Sequence, residues 1–119
     1  MKLRIRGNSI RLRLTRSEVA RLVSEGVVAE QVRFDADAAL QYSIASTENG
    51  ERISASLDGS HIRVRAPKAV VEQWAQSDDV GFESTIGAAL KIIVEKDWTC
   101  LTPRAGDDED TFPNPNQTC

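Results

Sequence analysis

Aromatic residues make up only 5% of this 119-residue chain, so its core must rest on Val, Ile, Leu and Ala rather than on stacked rings. Histidine occurs once, as His61, and cysteine twice, as Cys100 and Cys119. These three stand at no ligand spacing, so no metal site and no cofactor are expected. In a reducing compartment the two cysteines are expected to remain free thiols. No apolar run approaches the roughly 20 residues of a membrane span. The N-terminus alternates charged and apolar residues and so lacks a signal-peptide core. A cytoplasmic protein without a membrane partner is the default expectation. Also missing are a Gly-rich phosphate loop, a nucleophile motif beside His61, and paired carboxylates in a recognisable acid–base setting. The expectation is that the chain is not an enzyme.

What is present begins with charge. The formal net charge is −3, which disfavours generic attraction of the whole molecule to nucleic acid or membrane. The charge is unevenly placed, however. Lys2, Arg4, Arg6, Arg11, Arg13 and Arg16 occupy the first sixteen residues with no acid among them, whereas Asp107, Asp108, Glu109 and Asp110 form a late acidic run.

Residues Lys2 to Arg6 and Ile10 to Leu14 alternate charged and apolar side chains, the period of strands with one buried face. Gly7-Asn8-Ser9 supplies a turn between them, so the pair reads as a β-hairpin. Leu3, Ile5, Ile10, Leu12 and Leu14 are expected to point inward and the cations outward. Thr15 and Glu18 fit a capping box, Val19, Leu22 and Val23 recur at helical spacing, and Gly26 suits the left-handed helix end. Strands are expected over Val28–Phe34 and Leu40–Ser46, with Asn49-Gly50 as a hairpin turn leading back to Ile53, Ala55 and Leu57. Asp58-Gly59 turns into Ile62–Arg65, and Pro67 fits the first turn of a second helix carrying Val70, Val71, Trp74 and Ala75. Val80–Glu83 and Leu90–Glu95 complete the strands.

The two halves share an order of residues. Ile10-Arg11-Leu12-Arg13 aligns with Ile62-Arg63-Val64-Arg65, and at that offset Gly7 meets Gly59, Val19 meets Val71 and Leu22 meets Trp74. This predicts an α+β fold of two duplicated ββαββ units, about 1–48 and 51–98, forming a single domain over residues 1–98. Units this small should share one core about a pseudo-twofold axis. A mainly antiparallel β-barrel with two short helices would hide their sheet edges. Residues 99–119, rich in acids, Pro and Asn, read as a tail.

The stretch Gly7 to Arg16, followed by a helix, resembles the swapped-hairpin DNA-binding domains of AbrB/MazE-type regulators and antitoxins. Arg63 to Lys68 repeats the corresponding strand ending before Pro67. The resemblance implies a single-chain pseudo-dimer, with DNA contacts at Lys2, Arg4, Arg6, Asn8, Arg11 and Arg13. Thr15 stands where those domains favour Pro, and the hairpin of the second half lacks cations on its first strand. The whole chain, including the Glu95–Cys100 segment and the Phe112-Pro113-Asn114-Pro115 tail, also resembles an uncharacterised family of short bacterial proteins, a domain of unknown function.

Two partner classes follow. A basic ribbon of Lys2, Arg4, Arg6, Arg11 and Arg13 suits a DNA major groove. Alternatively, the cations lie opposite acids on a neighbouring strand, and the tail serves a protein–protein adaptor. Arg63 and Arg65 repeat Arg11 and Arg13, and the pairs either converge on an anion or face opposite sides. The function expected is a non-catalytic binding module, a monomer or a homodimer, with a small enzyme or ligand carrier as the remaining alternative. The acidic run, with Phe112 as an anchor, is expected to lie near the basic hairpin.

Overall fold

The computed structural model describes residues 1–48 and 52–98. The Asn49-Gly50 turn, both cysteines and the acidic tail lie outside them. The chain runs β1 (Lys2–Arg6), β2 (Ser9–Leu14), α1 (Arg16–Glu25), β3 (Val27–Asp35), β4 (Ala38–Thr47), β5 (Ser54–Asp58), β6 (His61–Pro67), α2 (Lys68–Gln76), β7 (Gly81–Ile86) and β8 (Leu90–Lys96). The order strand–strand–helix–strand–strand therefore occurs twice.

The strands form two four-stranded sheets, β1-β2-β8-β7 and β3-β4-β6-β5. Hairpins from opposite halves share each sheet. The hairpin pairs are antiparallel, whereas the central pairs β2/β8 and β4/β6 are parallel. The sheets are therefore mixed, and the expected closed, mainly antiparallel barrel is not found. Burial supplies the reason. Leu12, Leu14, Ile44, Val64, Ala66, Ile92 and Val94 are inaccessible or nearly so, and all lie on the four central strands. The more polar β1, β3, β5 and β7 are left as open edges.

The same preference overturns the Asn49-Gly50 hairpin. β4 takes β6 as its neighbour rather than β5, because Val64 and Ala66 need cover on both sides. The chain after β4 must cross to the far edge before returning.

The inner faces meet the helices in one core containing Val19, Leu22, Val71 and Trp74. Helix α1 begins as expected. The Thr15 hydroxyl accepts from the Glu18 amide, and Glu18 Oε1 accepts from the Thr15 amide at 2.9 Å. Gly26 ends it with φ 84°, a left-handed value that glycine adopts without a Cβ penalty. Pro67 is the last residue of β6 and precedes α2 rather than lying in its first turn; its ψ of 140° is extended. Ile5 also departs from expectation. It faces the core side of β1 but stays 59% exposed, because an edge strand has no further neighbour to cover its end.

Candidate functional site

Directly opposed residues share a sheet face, so the register defines which side chains stand together. On the outer face of the β1-β2-β8-β7 sheet, Lys2, Arg4 and Arg6 oppose Arg13, Arg11 and Ser9. Those in turn oppose Glu95, Ile93 and Lys91 on β8. Glu83 on β7 completes the charged set. The cations expected on a hairpin thus occupy one face. They do not form a free ribbon, because β2 is bonded to β8 along its other edge.

Glu95 organises the centre of this face. Its side chain is almost inaccessible, and its oxygens lie 3.1 Å from Arg11 Nη1 and 2.6 Å from Arg13 Nε. The shared carboxylate leaves both arginine side chains only partly exposed, at 30% for Arg11 and 25% for Arg13. Lys2 pairs with Asp97 at 3.1 Å and Lys91 approaches Glu83 at 3.9 Å. Arg4 and Arg6 are exposed on the edge strand. Asn8, in the β1–β2 turn, donates from Nδ2 to the Ala88 carbonyl at 3.3 Å. It ties two hairpin tips together.

Gly81 is opposite Glu95 and permits this arrangement. A Cβ there would collide with the Val94 carbonyl and come within 2.9 Å of Glu95 Cα. Gly81→Ala should cost about 2 kcal/mol by forcing β7 away from β8. Chemical denaturation checks this, and an unchanged midpoint would show that the two strands have slack.

Arg63 and Arg65 stand on the other sheet, so they do not converge with Arg11 and Arg13. Arg63 pairs with Asp58 at 3.2 Å, and Arg65 Nη1 donates to Ser56 Oγ at 3.3 Å. His61 Nε2 lies 2.9 Å from Ser43 Oγ, a pair formed by the parallel β4/β6 ladder. Asp58, paired with His61 by register, is engaged through Oδ2 by Ser56 and Arg63. Among the described residues no cluster of metal-ligating side chains occurs. No helix there is long and apolar enough to cross a membrane.

Residues 1–116 match the model of the Family of unknown function (DUF7009). The chain belongs to that family. No curated protein and no solved structure matches it. The likeness of its halves to swapped-hairpin regulators gains no support from these comparisons.

The DUF7009 chain also carries a buried polar network that the sequence did not disclose. The Met1 ammonium, screened from solvent, donates to Glu18 Oε2 and, at 3.0 Å, to Glu30 Oε1. Tyr42 donates its hydroxyl to Glu30 Oε2 at 2.9 Å. Burial alone would lower the pKa of the ammonium, but hydrogen bonds and charge from Glu18 and Glu30 outweigh it and the value rises. Burial opposes ionisation of Glu18 too, yet the ammonium and the Thr15 hydrogen bonds bring its pKa below the ordinary carboxylate value. Burial, then Glu30, pushes the Tyr42 phenol up. The capping box anticipates the contact of Glu18 with Thr15 but none of its contact with the ammonium. An α-amine, however, is not a side chain and leaves no mark in a residue pattern.

Proposed function

We propose that this DUF7009 protein is a non-catalytic binding module that receives double-stranded DNA on the outer face of the β1-β2-β8-β7 sheet. The observation that carries the reading is charge segregation. Lys2, Arg4, Arg6, Arg11, Arg13 and Lys91 share that face with three acids, Glu83, Glu95 and, just beyond β8, Asp97, in a chain of net charge −3. A broad sheet face suits phosphate contacts along a duplex rather than insertion of a ribbon into its groove. Arg11 and Arg13, held by Glu95, set the floor of the face, while Lys2, Arg4 and Arg6 extend from its edge.

Affinity for a mixed-sequence duplex should fall steeply between about 50 and 200 mM salt, since each neutralised phosphate releases condensed counterions. Replacing Lys2, Arg4 and Arg6 together with Gln should reduce the salt slope by about 3 and leave the far-ultraviolet spectrum unchanged. An unchanged slope in a folded variant, or no binding at low salt, would overturn the reading.

A further inference from the structure

Because the sheets do not close, a groove of about 340 Å³ opens between the β1–β2 tip and the β5–β6 hairpin. Ile5, Ile10 and Leu90 line it from one sheet, and Ala55, Leu57 and Ile62 from the other. Ile5 is 59% and Leu57 69% exposed. Both lie on edge strands, whose free backbone groups can pair with an added strand. β1 carries the usual protective charge in Lys2, Arg4 and Arg6, and those cations select for a strand of opposite charge.

We infer that this groove takes an extended segment of a partner protein, paired to the open edge of β1, in which apolar and acidic residues alternate. The pleat dictates that chemistry. Along β1, Leu3 and Ile5 face inward and Lys2, Arg4 and Arg6 outward. A strand laid beside it must send alternate side chains to the same two faces. Those on the inner face continue the apolar wall over the groove towards Leu57. Those on the outer face stand next to cations, where carboxylates are favoured and like charges are opposed.

Charge also separates this occupant from two others. A second copy pairing β1 with β1 would set arginine against arginine. The chain's own run Asp107-Asp108-Glu109-Asp110 has consecutive acids, so as a strand it would turn two carboxylates into the apolar groove. Neither supplies the alternation.

The test uses the full chain and a short synthetic peptide of alternating Val and Glu, compared with an isomer holding the same residues in two blocks. The alternating peptide should bind and shift the backbone amides of Lys2 to Arg6. Its affinity should drop about tenfold with Arg6→Glu, and similarly with Leu57→Ser. Both positions are exposed, and thermal melting verifies that each variant is folded. Should Leu57→Ser not fold, Arg6→Glu still decides the matter. Equal binding of the block isomer, amide shifts away from β1 and β5, or a dimer that covers Ile5 without peptide would each overturn the inference. Binding is measured with peptide alone, so a failure of the DNA reading leaves it unaffected, and the Leu57→Ser arm leaves the cationic face intact.

Discussion

Trp74→Ala should lower the unfolding free energy by about 3–5 kcal/mol, the loss typical of a large aromatic removed from a packed interior. Trp74 is only 3% exposed and performs three tasks from α2. Its ring meets Phe82 edge to face at 5.2 Å between centroids, a geometry that adds to the area buried. Its indole N–H donates to the Val80 carbonyl at 3.1 Å, fixing the chain as it enters β7. Lys96 Nζ lies 5.9 Å from its ring centroid and donates to the Ser77 carbonyl, which joins the end of β8 to the end of α2. Truncation leaves a cavity where α2, β7 and β8 meet, and the Val80 carbonyl keeps only its backbone bond from Lys96. Trp74→Phe keeps part of the packing and should cost less. Urea denaturation of both variants checks the order. A loss below about 1 kcal/mol for the alanine variant would place Trp74 outside the load of the core.

Glu18→Ala should cost about 3 kcal/mol, because it removes the carboxylate half of a capping box and half of the acceptors of a buried ammonium in one change. Wild-type stability should accordingly depend on pH at both ends. Glu18 has a lowered folded-state pKa, so its contribution is complete above the ordinary carboxylate range and is lost as pH falls through the folded value. The Met1 ammonium has a raised one, so its contribution is complete below the ordinary α-amine range and disappears as pH rises through the folded value. The plateau therefore lies between about pH 5 and pH 7.5. Tyr42, also raised, adds to the loss on the alkaline side. Melting temperature measured across pH checks this. Glu18→Ala should flatten the acid limb, and an acid limb identical to the wild type would remove Glu18 from the account.

The sequence discloses elements better than neighbours. Strict alternation in Lys2–Arg6 and Ile10–Leu14 placed a hairpin that the structure contains, because a period of two depends only on local geometry. Thr15, Glu18 and Gly26 likewise marked the ends of α1 through groups within one turn. Alternation says which face a residue takes but not which strand lies beside it. The parallel β2/β8 and β4/β6 ladders were therefore invisible, and with them the Glu95 clasp on Arg11 and Arg13. Opposition of cations by an acid on a neighbouring strand was anticipated as a class; the acid itself was not. Ile5 shows the converse limit, since its pattern announces an inward residue and only the missing neighbour leaves it exposed.

The exchange of hairpins has a consequence for how the chain acquires its shape. Ser9 pairs with Lys91 and Leu14 with Lys96, so β2 waits for its partner until nearly all of the described chain has followed it. During synthesis the first hairpin and α1 would leave the ribosome with one flank of β2 bare, and the first sheet could not assemble until β8 emerged. Closing so long a loop before any contact rewards it makes for slow folding. The other sheet, whose β4 and β6 are separated by a short crossover, is able to form first and serve as the template on which the two ends of the described chain are brought together.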